Sequence, residues 1–285
     1  MGIYSLCSIL IGRQVQCLPV RRGNVTDITG GRAEGKIGYQ AAGLLLYFTV
    51  MLYVYSDEVP ELDARLRETL GPKHTLTVIP ATPRDLGAAR HHTAHFRGAG
   101  LHARLQSTRF YRDPVCLRNI ILNSDAVFLM GGNTFEFLAY AGRMGLFAIL
   151  REFESRDGVI ASESAGSIIL SPNIATALLP TTCPDEQTVE LDDYRGMSRI
   201  PFHVSPHFDP AAAVAGRELH ELQALADFSS IPVLVLRDGE GIIMEGNSII
   251  HTVGCPTKLE ATAPRMTSAG VPAYIPAWAV PATRC

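Results

Sequence analysis

Three residues of this sequence, Ser164, His207 and Asp238, are of the types that together carry out nucleophilic acyl transfer. A serine hydroxyl is a poor nucleophile unless a base removes its proton, and an imidazole needs a third group to fix its tautomer. The chain supplies these groups in the order nucleophile, base and acid. We therefore predict that Ser164 attacks a carbonyl carbon, that His207 takes the hydroxyl proton, and that Asp238 orients the imidazole.

Two of these assignments have neighbouring alternatives. His203 is the other candidate for the base, but it lies inside a predicted strand, whereas His207 follows the end of that strand. Glu240 is the alternative acid, since Asp238 precedes Gly239 and could simply form a turn. The choice between the two carboxylates stays open at the level of sequence.

The segment 158–170 surrounds Ser164 with two apolar runs that meet at a Ser-Glu-Ser-Ala-Gly turn. This pattern indicates a buried strand, a sharp turn and a helix, which together form a nucleophile elbow. Gly166 leaves room for a close crossing, although Ser162 stands where such elbows usually have glycine. We expect Glu163 to be solvated or to shape the mouth of the site. The alternative for Ser164 is an N-cap at an ordinary strand–helix junction.

A tetrahedral intermediate needs two N–H donors held near the developing oxyanion. The N–H of Ala165, directly after the nucleophile, is one candidate. The other is the turn at Gly131 and Gly132, where missing side chains permit close backbone approach. Asn133 follows this turn, and we expect it to cap the next helix and to face the substrate.

The elements that position these residues alternate between strand and helix from Met51 onward. We predict helices at 59–70, 83–97, 113–123, 134–142, 145–156 and 211–227, and strands at 51–55, 74–80, 100–106, 125–130, 200–205, 231–236, 241–245 and 248–253, besides the strand that leads into the elbow. Such alternation predicts an α/β fold with a doubly wound, mostly parallel sheet covered on both faces. Gly131, Ser164, His207 and Asp238 each follow a predicted strand, so they should share the carboxyl edge of this sheet.

Composition excludes several functional classes. A net charge of −3 and a pI near 6.3 give no basic surface for nucleic acid. The longest apolar run, 41–55, is shorter than the ~20 residues that a membrane helix needs. The six cysteines have no C-x-x-C spacing, which favours reduced thiols in the cytoplasm over a zinc site or a disulfide framework.

Residues 1–50 show no sustained period and cluster Gly with Arg, so we interpret them as a disordered or non-native extension before one domain, 51–285. Met51 is then a candidate natural start. His91 and His95 form an i, i+4 pair without the glutamate of zinc peptidases, and no nucleotide-binding glycine motif occurs. We therefore expect neither a metal nor a cofactor.

Four motifs in order give the sequence a family resemblance. They are Met-Gly-Gly-Asn-Thr-Phe at 130–135, Ser-Glu-Ser-Ala-Gly at 162–166, Pro-His-Phe at 206–208 and Leu-Arg-Asp-Gly at 236–239. Over about residues 51–255 the chain resembles the peptidase E (aspartyl dipeptidase) family, serine peptidases with a class I glutamine-amidotransferase-like fold and flavodoxin-like layering.

The resemblance implies roles for individual residues. The family's nucleophile falls on Ser164, its base on His207, its acid, commonly Glu, on Asp238, and its oxyanion donors on Gly132 and Ala165. Its arginine for the substrate aspartate falls on Arg217, whose neighbours differ from the family's Gly-Glu-Thr-Arg stretch. We expect Asn133 and Arg217 to bind substrate.

The resulting expectation is a cytoplasmic dipeptidase, monomeric or homodimeric, that acts on short peptides and prefers N-terminal Asp through an acyl-enzyme. Two alternatives stay open. A cyanophycinase-like hydrolase of Asp-rich polymer would share the fold, although its relatives usually place Gln where this chain has Pro206. A non-catalytic amidotransferase-like binding protein would not need Ser164, His207 and Asp238 together.

Overall fold

The computed structural model describes residues 51–105 and 112–262, and the predicted extension over residues 1–50 lies outside them. The strands are β1 Met51–Tyr55, β2 Thr75–Ile79, β3 His102–Leu105, β4 Ala126–Leu129, β5 Val159–Glu163, β6 His203–Ser205, β7 Val233–Val235, β8 Gly241–Glu245, β9 Ser248–Val253 and β10 Thr257–Leu259. The helices are α1 Pro60–Leu70, α2 Leu86–Gly98, α3 Pro114–Leu122, α4 Thr134–Met144, α5 Leu146–Glu154, α6 Ala165–Ile168 and α7 Ala215–Ser229. No helix in these residues is long and apolar enough to cross a membrane.

The main sheet has seven strands in the order β3-β2-β4-β5-β1-β8-β9. The strands from β3 to β1 are parallel, and β8 and β9 add an antiparallel hairpin at one edge, with its turn at Gly246 and Asn247. The strand β5, which leads to Ser164, lies in the interior of the sheet between β4 and β1. The predicted α/β fold with a mostly parallel sheet is therefore confirmed.

Alternate residues of β1 pack into different hydrophobic cores. Leu52 and Val54 contact the core formed with α3, α4 and α5, whereas Tyr53 and Tyr55 contact the core formed with α1 and α2. Because side chains alternate across a strand, this split means that helices cover both faces of the sheet. A strand buried on both faces reads as a continuous apolar run, as β1 does.

A second sheet, in the order β10-β7-β6, was not predicted. The strands β6 and β7 are parallel to each other, and β10 pairs with β7 in the antiparallel direction. The expectation that all strand ends share one sheet is therefore wrong for His207 and Asp238, which follow β6 and β7. The strand β10, Thr257–Leu259, was not among the predicted strands. Helix α7 packs on this sheet through Leu222 and Leu225 and begins four residues later than predicted.

Candidate active site

The elbow at Ser164 has the geometry that its sequence predicts. Ser164 lies between β5 and α6 with φ at +49° and ψ at −117°, a conformation that residues with a side chain rarely adopt. Its N–H donates to the carbonyl of Tyr55 at the end of β1. A Cβ on Gly166 would lie 2.1 Å from the carbonyl oxygen of Leu129, so only glycine permits α6 to cross β4 this closely. The strained turn lifts the Ser164 hydroxyl above the sheet edge.

Ser162 fits the position where elbows usually have glycine because its hydroxyl is bonded inside the fold. It donates to the Tyr53 carbonyl at 3.2 Å and lies 3.0 Å from the hydroxyl of Ser167. Ser167 in turn donates to the Tyr55 carbonyl at 3.3 Å. This buried chain of hydroxyls ties β5 and α6 to β1 beneath the nucleophile.

The structure brings Ser164, His207 and Asp238 together. His207 Nε2 lies 2.8 Å from Ser164 Oγ, and His207 Nδ1 lies 2.6 Å from Asp238 Oδ1. His207 directly follows the turn after β6 and has a positive φ of 60°. The imidazole can therefore accept the serine proton at one nitrogen while the carboxylate accepts from the other.

Ser56 was missed by the sequence analysis, although it contacts two members of this set. It is fully buried at the end of β1. Its hydroxyl accepts from the backbone N–H of His207 at 2.8 Å and donates to Asp238 Oδ1 at 3.3 Å. A serine directly after a predicted strand of the sheet was the available signal, but serine is common in such loops.

The two alternatives for base and acid lie elsewhere. His203 is fully buried inside β6, and burial lowers its pKa to about 4. Glu240 accepts from the backbone N–H groups of Arg237 at 2.9 Å and Cys255 at 3.0 Å. Its carboxylate holds the loop after β7, whereas the carboxylate that contacts His207 belongs to Asp238.

The candidate oxyanion donors border the nucleophile. Ala165 is the first residue of α6, and the Gly131–Gly132 turn faces Ser164 so closely that a Cβ on Gly131 would lie 3.2 Å from Ser164 Cβ. Gly132 has a φ of 141°, and a Cβ there would lie 2.8 Å from Ala81 Cβ. The N–H of Gly131 donates to Glu163 Oε2 at 3.4 Å. Because the Gly131 N–H is engaged by Glu163, Gly132 and Ala165 remain the candidate oxyanion donors.

Asn133 and Arg217, which we expected to bind substrate, lie outside the lining of the cavity at Ser164. Asn133 caps α4 by accepting from the N–H of Glu136, and its amide donates to the carbonyl of Glu186 at 2.7 Å. Arg217 is exposed in the first turn of α7. Neither residue lines the cavity at Ser164. Their predicted contact with substrate has no support in this geometry.

The expectation that Glu163 is solvated is wrong. Its side chain is buried at the end of β5, with Oε2 3.3 Å from His92 Nε2 on α2. Burial, with a smaller contribution from the carboxyls of Asp57 and Glu58, raises the pKa of Glu163 to about 8, although the Gly131 N–H acts to lower it. Burial also lowers the pKa of His92. The pair therefore favours its neutral forms near neutral pH.

His91 and His95 of α2 pair with carboxylates. His91 lies 3.4 Å from Glu58, and His95 lies 3.6 Å from the same carboxylate and 2.7 Å from Asp63 Oδ2. Within residues 51–105 and 112–262, no group of three or more His, Cys, Asp or Glu side chains is arranged to hold a metal ion. These contacts join α2 to α1 and to the loop after β1.

A cavity of about 330 Å³ opens at Ser164. Gly131, Gly132 and His207 border it beside the nucleophile, and Ile168, Thr176 and Ala177 form part of its wall. This volume is at the small end of the range for ligand sites, so it suits a short substrate.

Comparison with known proteins identifies the family. The model of peptidase family S51 matches residues 60–252. Peptidase E of Streptomyces coelicolor is 28% identical over 187 residues, which cover 63% of this chain and 73% of that protein. A Drosophila melanogaster protein named "Probable alpha-aspartyl dipeptidase" is 30% identical over 132 residues, covering 45% of this chain and 52% of its own. The match thus spans about half of the Drosophila relative.

Solved structures show the same fold. A peptidase E protein from Listeria monocytogenes superposes with a TM-score of 0.58 at 21% identity, covering 73% of this chain and 99% of that one. A peptidase from an acI-B1 Actinobacterium has a TM-score of 0.54 at 14% identity, covering 75% and 95%. The predicted relationship to peptidase E is confirmed. Since the family model covers most of the described domain, the chain belongs to peptidase family S51 and is a serine-type peptidase.

Proposed function

We propose that the protein is a serine exopeptidase that hydrolyses short peptides through an acyl-enzyme on Ser164. The observation that carries this proposal is the continuous hydrogen-bonded series from Ser164 Oγ through His207 to Asp238, at 2.8 Å and 2.6 Å. A base and an orienting acid on either side of one imidazole are what an activated serine requires. The name of the Drosophila relative supports a dipeptide as the substrate class.

The reaction follows from this arrangement. His207 Nε2 takes the proton of Ser164 Oγ as the oxygen attacks the peptide carbonyl, and the N–H groups of Gly132 and Ala165 stabilise the oxyanion. His207 then gives the proton to the leaving amine, and the first product departs. A water molecule attacks the acyl-enzyme with His207 again as the base, which releases the acid and regenerates Ser164.

The side-chain preference is a separate question. The name of the Drosophila relative suggests that this chain could also prefer α-aspartyl dipeptides. That preference needs a cation beside the substrate carboxylate, and Arg217 does not line the cavity. We therefore propose short peptides as the substrate class. We also propose that the protein acts in the cytoplasm, with no cofactor and no nucleic-acid partner.

The test uses purified wild-type protein and Ser164→Ala with a panel of dipeptides that includes Asp-Leu, Ala-Leu and Glu-Leu. The wild type should release amines, and the variant should lose about 10³-fold or more in kcat. Ser248→Ala, which changes an exposed serine of β9, is the matched control and should keep wild-type activity. Intact turnover by Ser164→Ala would remove the proposal, and no turnover by the wild type would favour a polymer substrate or a binding protein.

A further inference from the structure

The cavity at Ser164 is acidic. Its lining includes the carboxylates of Asp85, Glu163 and Asp185, and among the residues that the structure describes it includes neither lysine nor arginine. Its basic side chains are His92, whose pKa burial lowers, and His207, which already contacts the nucleophile and Asp238. An anionic group that enters this cavity therefore meets like charge without a paired cation.

Two of these carboxylates lie beside the nucleophile. A Cβ placed on Gly131 would lie 3.6 Å from Ser164 Oγ and 3.9 Å from Glu163 Oε2, so both groups adjoin the same small space. A Cβ placed on Gly132 would lie 3.1 Å from Asp85 Oδ2. The Gly131–Gly132 turn, which we assign to the oxyanion, is thus flanked by the carboxyl groups of Glu163 and Asp85.

Asp85 and Asp185 are each held in place by contacts at one carboxylate oxygen. Asp85 Oδ2 accepts from the N–H and hydroxyl of Thr82, both at 2.8 Å, and Asp185 Oδ2 accepts from the N–H of Thr134 at 3.0 Å. Since a carboxylate accepts at both oxygens, these two remain able to receive a donor from a substrate.

Ser205 supplies an independent sign that the cavity binds a polar ligand. It lines the cavity at the end of β6 and is fully buried, and its hydroxyl has no hydrogen-bond partner among the described residues. A buried hydroxyl without a partner carries a desolvation cost that a bound donor or acceptor would offset.

We propose that this cavity holds the α-ammonium group of a peptide through Glu163 and its neighbouring carboxylates, and therefore disfavours an acidic side chain on the N-terminal residue. The inference rests on the proposed function, because it places the carbonyl of that residue at Ser164. The α-nitrogen is two bonds from the attacked carbonyl carbon, so it can reach the space that Ser164 and Glu163 share. The preferred substrates are then peptides whose first side chain is neutral or cationic.

The ionisation of Glu163 fits this role. With a pKa of about 8 its carboxyl is mostly neutral in the free protein near neutral pH, and an ammonium group beside it favours the ionised form. A substrate carboxylate in the same place would have the opposite effect. The ionisation state of Glu163 therefore depends on the charge of the substrate group that lies beside it.

The decisive comparison uses nearly isosteric substrates. Asn-Leu and Asp-Leu differ by one charge at almost constant shape, and N-acetyl-Asn-Leu lacks the ammonium group of Asn-Leu. We expect wild-type kcat/KM for Asn-Leu to exceed that for each of the other two by at least roughly tenfold, as like-charge contacts and lost ion pairs predict. Glu163→Gln should reduce the ratio between Asn-Leu and its acetylated form, whereas Glu190→Gln, at an exposed site, should leave it unchanged.

Binding to the Ser164→Ala variant separates this inference from the proposed function, since it needs no turnover. Calorimetric titration should give tighter binding of Asn-Leu than of Asp-Leu, again by at least roughly tenfold. Equal or tighter binding of Asp-Leu would overturn the inference even if Ser164 is the nucleophile, and so would failure of both peptides to bind. Tight Asn-Leu binding without wild-type turnover would support the inference and refute the peptidase proposal.

Discussion

The hydroxyl of Ser56 lies between the backbone N–H of His207, from which it accepts at 2.8 Å, and the carboxylate of Asp238, to which it donates at 3.3 Å. Ser56 follows β1 of the main sheet, whereas His207 and Asp238 follow β6 and β7 of the small sheet. One buried hydroxyl therefore joins the two sheets at the point where base and acid meet. It also supports a positive φ at His207 that few residues with side chains adopt without help.

Ser56→Ala should lower kcat by about 10- to 100-fold with little change in KM, because a misplaced imidazole impairs proton transfer more than substrate binding. The melting temperature should fall modestly, as a lost hydrogen bond of about 1 kcal/mol implies. Steady-state kinetics well below the melting temperature distinguish the two effects. Unchanged kcat in the folded variant would reduce Ser56 to a purely structural role.

Asp238→Asn and Glu240→Gln should have contrasting effects. An amide at 238 cannot accept from the Nδ1 proton of His207 as a carboxylate does, so kcat should fall by about 10³- to 10⁴-fold. Glu240→Gln leaves one of the N–H groups of Arg237 and Cys255 poorly paired, so it should cost about 1–3 kcal/mol of stability. Kinetics and denaturant unfolding of both variants check this. A larger loss of kcat in Glu240→Gln would make Glu240 the acid.

Gly166→Ala tests the close crossing beneath Ser164. The added methyl would lie 2.1 Å from the Leu129 carbonyl oxygen, and moving either backbone should cost about 1–3 kcal/mol or more. Gly142→Ala is the matched control at an exposed position of α4, where nothing lies within 4 Å of the new Cβ, and should stabilise by about 0.5–1 kcal/mol. Urea unfolding of both proteins measures the difference. Equal free energies of unfolding for Gly166→Ala and Gly142→Ala would mean that α6 can move away from β4 without cost.

The sequence predicted the triad residues because each follows a strand, and strand existence depends on local apolar runs. It did not predict which strands pair, so the sheet formed by β6, β7 and β10 was missed. Pairing depends on contacts far apart in the chain, and local pattern carries no record of them. The ends of β6 and β7 nevertheless lie near the end of β5. His207 and Asp238 were therefore correctly placed beside Ser164, although we had assumed that all of these strands belong to one sheet.

The sequence also did not predict which polar side chains are buried. Glu163 ends an apolar run, and glutamate is rarely buried without a partner, so solvent exposure was the natural expectation. The partner, His92, comes from α2, some seventy residues earlier in the chain, and only the packing of α2 over the end of β5 brings them together. Arg217 is exposed and does not line the cavity. Its role stays a prediction, because a family position without the family's neighbours does not fix where a side chain points.

Glu163 should also make stability depend on pH. Its pKa of about 8 in the folded protein lies above the ordinary value of 4.5. Between these values the native carboxyl keeps a proton that the unfolded chain has lost, so the free energy of unfolding falls as pH rises through this window, by at most about 1.4 kcal/mol per pH unit. Above the folded pKa the contribution becomes constant. His92 acts in the opposite direction, but only below its ordinary value of 6.5.

The corresponding experiment compares melting temperatures of wild type, Glu163→Gln and Glu190→Gln from about pH 6.5 to about pH 9, a range that lies above the ordinary pKa of His92. Gln keeps the shape of the side chain and does not ionise, so Glu163→Gln should gain stability relative to wild type as pH rises toward 8 and then run parallel to it. Glu190→Gln should follow the wild type throughout. A difference between wild type and Glu163→Gln that does not change with pH would show that Glu163 ionises in the folded protein as it does in the unfolded chain.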